Sequence, residues 1–128
     1  MSRLPLGETD HLWGDARGWG LRPLEAAGVA PERLGEMHVV SVEPGAVRGN
    51  HRHPATTEWM LVFGAPADVA SQAPDGPVEV QRTDGGAPAL LEFGPGVAHA
   101  VRGCGPGVTY LVCWADGTPE TDRVEPLL

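Results

Sequence analysis

From Glu36 onward the chain alternates between short runs rich in Val, Leu and Ala and tight clusters of Gly, Pro and Asp. Apolar segments fall at Met37–Glu43, Glu58–Phe63, Asp68–Gln72, Val78–Arg82, Ala89–Phe93, Ala98–Arg102 and Val108–Trp114. Between them stand Glu-Pro-Gly, Ala-Pro-Asp-Gly-Pro, Asp-Gly-Gly-Ala-Pro, Gly-Pro-Gly and Gly-Cys-Gly-Pro-Gly. Runs of this length, punctuated at regular intervals by turn residues, predict an all-β sandwich or barrel. The one helical candidate is Leu24–Leu34, and Gly28 and Pro31 limit it to a turn or two. In the run from 58 to 63, Glu58, Met60 and Val62 share one face and Trp59, Leu61 and Phe63 the other. Both faces are mostly apolar, so the carboxylate of Glu58 needs a partner.

That partner is suggested by the segment just before it. In a strand, side chains two apart point to the same face about 6.5–7 Å apart, so the imidazoles of His51 and His53 can converge on one ion. Pro54 has no amide hydrogen to give a ladder, and Pro-Ala-Thr-Thr is long enough for a turn. Glu58 then opens the returning strand facing the histidine pair. A third histidine, His99, follows the turn Gly94-Pro-Gly96. A lone His-x-His is more often a surface or structural feature than a ligand pair. Joined to Glu58 and His99 it predicts a metal site built on β-strands.

With these residues the chain resembles the cupins, whose first motif has the form G-x5-H-x-H-x(3,4)-E-x6-G and whose second has P-x-G-x2-H-x3-N. Gly45, His51, His53, Glu58 and Gly64 match the first, with one residue fewer before the last glycine. Gly96 and His99 match the second; Gly94 stands at its proline position and Gly103 at its asparagine position. The resemblance covers Glu36 to Trp114 and implies a cupin-type double-stranded β-helix, a jelly-roll barrel, that binds a metal through His51, His53, Glu58 and His99. It divides the chain into an amino-terminal arm (1–35) with a short strand and a turn of helix, a barrel (36–115) and an acidic carboxy-terminal tail (116–128). Arg48-Gly49-Asn50-His51, Thr57-Glu58-Trp59, Asp15-x-Arg17-Gly18 and Val112-Cys113-Trp114-Ala115 narrow the likeness to cupin domains of bacterial sugar-nucleotide and capsule enzymes, which include epimerases and ketoisomerases.

Around the ligands the sequence offers further candidates. Arg52 alternates with His51 and His53 and is expected to point away from the metal, whereas Arg48 sits at the approach to it. Its guanidinium could hold a phosphate or carboxylate by two parallel hydrogen bonds. Asn50, the only asparagine, either bonds substrate or shapes the turn into the strand. No general base is singled out. His38 could face the cavity as an acid/base group or be an ordinary core or surface histidine. Tyr110 shares a face with Val108, Val112 and Trp114 and either donates a proton to a developing oxyanion or packs with its hydroxyl satisfied.

Composition narrows the classes. The 128 residues make one domain able to bury a core. Gly 18 and Pro 13 approach the level where disorder competes, but they fall between apolar runs and read as turns. A net charge of −8 argues against a nucleic-acid partner. All nine basic residues are arginine, which excludes Schiff-base catalysis through lysine. No segment approaches the ~20 apolar residues of a membrane span, and the first residues lack the apolar stretch of a signal peptide, so a cytoplasmic protein without membrane contact is expected. Cys104 and Cys113 have neither redox-type nor ligand-type spacing; Cys113 is expected in the core and Cys104 in an open turn. His11, Trp13 and Trp19 in the arm suggest contact with a second subunit, a homodimer in which the arm crosses to its partner, and the tail is expected to be either mobile or part of that contact.

Three imidazoles and one carboxylate fill a tetrahedral zinc, whereas a metal preferring six ligands keeps two positions open. With open positions a divalent Zn, Fe, Mn or Ni ion can act as a Lewis acid on a substrate carbonyl. The sequence thus predicts a metal-dependent isomerase or epimerase of a keto-sugar, a small-molecule substrate carried on a nucleotide in a capsule or polysaccharide pathway, working by enolisation. Its rivals are an iron-dependent dioxygenase with the same ligands and a non-catalytic cupin that binds a sugar or another small molecule.

Overall fold

The computed structural model describes residues 1–6 and 11–128. The arm supplies β1 (Ser2–Leu4), β2 (Leu12–Asp15), β3 (Gly18–Leu21), the single-turn helix α1 (Pro23–Ala27) and one 3-10 turn at Pro31–Arg33. Gly28 ends α1 in the left-handed conformation, as a glycine after a helix commonly does. The barrel then runs through β4 (Glu36–Val42), β5 (Val47–Arg52), β6 (Glu58–Gly64), β7 (Ala67–Gln72), β8 (Val78–Thr83), β9 (Ala89–Phe93), β10 (Ala98–Gly103) and β11 (Thr109–Ala115), and the tail adds β12 (Asp122–Arg123).

These strands form two facing antiparallel sheets, one in the order β1-β9-β6-β11-β4 and the other β12-β5-β10-β7-β8; β2 and β3 form a separate hairpin. From β4 to β11 the chain passes repeatedly from one sheet to the other, which is the jelly-roll path. The seven apolar segments appear as β4 and β6 to β11, with ends within a residue or so of the expected ones. One connection differs. The turn after His53 does not return in a hairpin beside β5: β5 pairs with β10 and β12, whereas β6 lies in the opposite sheet between β9 and β11. Glu58 therefore faces the histidines across the sandwich.

Alternation divides the core into two layers. Val42, Met60, Val62, Val69, Leu91, Phe93, Val101, Leu111 and Cys113 pack between the sheets. Trp59, Leu61, Leu90 and Trp114 point out of the first sheet and pack with Leu6 and Val29, flanked by Leu4, Leu12, Leu21 and Leu24 of the arm. Within the single chain the arm covers this face and extends the sheet through β1, which pairs with β9. Burial of both faces is why β6 reads as a continuous apolar run rather than an alternating one. Met37, Val39 and Tyr110 remain exposed near the β4 edge, as do Trp13 and Trp19 on the hairpin. Among the described residues no helix is long and apolar enough to cross a membrane.

Candidate metal centre

The site begins with an irregularity in β5. Opposite β10, His51 pairs with His99 and Gly49 with Ala100, so Asn50 is left as an extra residue, a β-bulge. Gly49 (φ 97) and Asn50 (φ 57) both adopt positive φ. A Cβ on Gly49 would stand 2.8 Å from the His99 carbonyl oxygen, so the bulge depends on glycine there. Regular alternation would turn Arg48 and His51 to opposite faces. Beyond the bulge Arg48 pairs with Val101 and His51 with His99, both residues that face the interior, and Arg48 and His51 line the same cavity.

His53 follows the end of β5, and Glu58 opens β6 between Ala115 and Phe93. Glu58 and His99 are almost fully buried, at 4% and 1% exposure. Glu58 Oε2 lies 2.7 Å from His99 Nε2 and 3.1 Å from His53 Nε2. The ring centroids of His51 and His99 are 4.8 Å apart. One ligand atom from each of His51, His53, Glu58 and His99 falls within 4.8 Å of all the others.

The hydrogen bonds around the histidines indicate what this cluster accommodates. His53 Nδ1 lies 3.0 Å from the Glu120 carbonyl oxygen, which can only accept, so Nδ1 donates and the Nε2 lone pair turns toward Glu58. His99 Nδ1 faces the Val97 carbonyl at 3.4 Å in the same sense. Two imidazole lone pairs thus aim at one carboxylate oxygen, and Glu58 Oε2 and His99 Nε2 are buried with no aligned hydrogen bond. Acceptors facing acceptors require a cation or protons between them. A carbonyl behind the imidazole is the usual support of a metal-bound histidine, so the donor set fits a divalent ion. Burial, followed by the neighbouring His99 and His53, depresses the His51 pKa to about 4, leaving it the neutral ligand form at neutral pH. Burial alone would raise the Glu58 pKa; contacts with His53 and His99 outweigh it and hold the carboxyl below its ordinary range. Contact with Glu58 raises the His53 pKa against the effect of burial, making a proton the metal's competitor there.

The cavity beside the ligands has a volume of about 290 Å³ and is lined on one side by His38, Val40, Met60, Leu111 and Cys113 and on the other by Arg48, Gly49, His99 and Val101. Arg48 Nε donates to the Ser41 carbonyl at 2.9 Å. The terminal guanidinium nitrogens have no partner among the described residues. His38 faces inward, in register with Cys113. Tyr110 does not belong here: it points out of the first sheet, 42% exposed, and stacks on Phe63 at 5.8 Å. Tyr110 shares its face with Val112 and Trp114, as strand alternation predicts, but that face is the outer one. Asn50 is also drawn away from the cavity, because its Oδ1 accepts the Leu127 amide at 2.8 Å and its backbone oxygen accepts that of Val124. Arg52 lies outside, 3.8 Å from Asp122.

Cys113 was expected only to pack, and it does so at 2% exposure. Its thiol also lies within 4.8 Å of ligand atoms of Glu58 and His38; parity with Leu111 along β11 is the signal that would have found it. The tail is likewise more than an appendage. β12 pairs with β5, and Glu120 and Thr121 both reach His53 Nδ1. Removing residues 118–128 is expected to weaken metal affinity about 10–100-fold, the usual cost of losing such a support. Competition titration against a chromophoric chelator measures it, and unchanged affinity would show the tail to be a bystander.

No protein-family model matches the chain, and no curated protein matches it in sequence. Solved structures do. NovW, a 4-keto-6-deoxy sugar epimerase from the novobiocin biosynthetic gene cluster of Streptomyces spheroides, superposes with a TM-score of 0.72 at 22% identity, over 99% of this chain and 75% of that one. QdtA, a sugar 3,4-ketoisomerase from Thermoanaerobacterium thermosaccharolyticum in complex with TDP, gives 0.68 at 15% identity over 88% and 82%. The capsular polysaccharide assembling protein CapF from Staphylococcus aureus gives 0.67 at 19% identity over 90% of this chain, which spans only 34% of that protein. At these identities the likeness is one of fold.

Proposed function

We propose that this chain, a cupin by fold, is a metal-dependent isomerase or epimerase acting on a keto-sugar carried on a nucleotide. The observation that carries the reading is the convergence of three imidazoles and a buried, unsatisfied carboxylate on the wall of a cavity that opens to solvent on one side. His51, His53, Glu58 and His99 would hold a divalent ion, which when bound supplies Lewis-acid polarisation of a substrate carbonyl. Pockets for small molecules run from about 300 Å³ upward, so a cavity of about 290 Å³ suits one sugar ring with the nucleotide left outside. Arg48 offers its free guanidinium nitrogens to an anionic or carbonyl oxygen of that ligand. The apolar walls formed by Val40, Met60, Val101 and Leu111 lower the local dielectric and strengthen each polar contact at the buried end of the cavity. The structural neighbours include proteins described as a sugar epimerase, a sugar ketoisomerase and an oxalate oxidase; the two sugar enzymes match 99% and 88% of this chain against 69% for the oxidase, which favours sugar chemistry over oxygen chemistry.

The test is incubation of the metal-loaded protein with TDP-4-keto-6-deoxyglucose under nitrogen. Enolisation needs no oxygen, so an isomeric sugar is expected at the aerobic rate. Product formed only with stoichiometric oxygen uptake would point to the dioxygenase reading, and binding without turnover would point to a non-catalytic sugar-binding protein.

A further inference from the structure

Resting on the enolisation reading, we infer that His38, held by Glu36, is the single proton carrier of the cavity, and that one carrier on one side makes the reaction a ketoisomerisation rather than an epimerisation.

His38 stands on the inward face of β4, and its Nδ1 lies 3.0 Å from both carboxylate oxygens of Glu36. A carboxylate that turns both oxygens to Nδ1 can only accept there, so Nδ1 is the donor and in the neutral ring Nε2 carries the lone pair. Nε2 has no partner among the described residues. A ring nitrogen of His38 is within 4.8 Å of a Glu58 carboxylate oxygen, which places the imidazole beside the ligand cluster without making it a member of the group formed by His51, His53, Glu58 and His99. The ligands are buried, but the His38 side chain is 46% exposed and can exchange its proton with solvent. The other candidates fail on chemistry. Arg48 stays protonated, the Cys113 thiol is driven away from ionisation by burial and by Glu58, and Tyr110 lies outside the cavity.

The step balances within the sugar. Nε2 takes the proton from the carbon next to the carbonyl, and the C–H electron pair becomes the C=C bond of an enolate. The imidazolium then returns a proton to the former carbonyl carbon on the same face of the ring. The neighbouring hydroxyl gives its proton to solvent as the old carbonyl oxygen takes one, and the carbonyl has moved by one carbon with no change in oxidation level. Inverting a carbon instead would need a second proton donor on the opposite face. On the opposite wall the cavity offers Arg48, which stays protonated, and His51 and His99, whose ring nitrogens the bound metal would occupy; the rest of that wall, Val47, Gly49 and Val101, carries no proton donor.

The experiment uses TDP-4-keto-6-deoxyglucose deuterated at the carbon beside the carbonyl, with the metal-loaded protein in ordinary water. A single carrier returns part of the label to the adjacent carbon, whereas two carriers on opposite faces lose it. His38→Asn should keep its metal and its affinity for TDP while turnover falls about 10²–10⁴-fold, the range for a lost general base. Glu36→Gln should fall less and keep the label transfer. The assignment is overturned if His38→Asn turns over at the wild-type rate, or if the product is the epimer with the label washed out. If the wild-type protein binds TDP but neither exchanges nor isomerises the sugar, the enolisation reading falls and takes this assignment with it. If only the variant is normal, the reading survives alone.

Discussion

Glu58→Gln is expected to fold as the wild type does but to lose its response to metal. The carboxylate is the one anion among the four candidate ligands, and it sits 2.7 Å from His99 and 3.1 Å from His53 inside the sandwich. Glutamine keeps the shape, and its amide can donate a hydrogen bond to one of the two imidazole lone pairs, which eases the apo-site while removing the charge that holds an ion. Metal present at a thousand-fold excess over its dissociation constant stabilises the native state by about 4 kcal/mol. For a domain of this size that raises the melting temperature by roughly 12–16 °C. Thermal melts with and without Zn or Mn should show that rise in the wild type and almost none in the variant, and elemental analysis of protein purified without added metal should agree. Equal rises in both would remove Glu58 from the ligand set.

The second large effect is expected from Phe93→Ala. Phe93 is 1% exposed, pairs with Glu58 across β6 and β9, and stacks on His99 with centroids 4.5 Å apart at 29°. It is at once core and the wall behind a ligand. Truncating a buried phenylalanine costs about 3–5 kcal/mol, a large part of the roughly 5–15 kcal/mol that holds a domain together. His99 then gains room to rotate, so metal affinity should fall in the fraction that remains folded. Leu90→Ala is the control, because Leu90 is equally buried but belongs to the outer layer beneath the arm. It should cost about 2–5 kcal/mol and leave metal affinity of the folded protein unchanged. If both variants weaken metal binding alike, Phe93 acts through general stability alone.

The barrel was legible because short apolar runs are punctuated at regular intervals by glycine and proline. The candidate metal cluster was legible because a His-x-His pair, a carboxylate opening an apolar run and a histidine after a Gly/Pro turn stand out in such a sequence, and the fold brings His51, His53, Glu58 and His99 together. What escaped depends on long-range pairing. Ser2–Leu4 and Asp122–Arg123 are too short to declare themselves and are strands only because β9 and β5 offer edges to them. The strand expected after His53 faces the histidines as the turn implies, but from the opposite sheet, because a four-residue link gives no sign of which sheet it enters. Tyr110 was assigned to the right face of β11, but nothing in the sequence says that the arm's side of the sheet is the one away from the ligands. His38 and Cys113 form one inward row that only the register of β4 against β11 reveals.

Arg48 and His51 stand three positions apart, an odd step that alternation would place on opposite faces, yet they line one cavity because Asn50 is skipped in the pairing. Strand parity is a two-state code, and the skipped residue switches its state midway along β5. What the cavity presents is therefore set by arithmetic as well as by chemistry. Gain or loss of one codon at that point would re-phase the two side chains while leaving every residue type in place, so a protein with the same composition and the same sheets need not have the same interior.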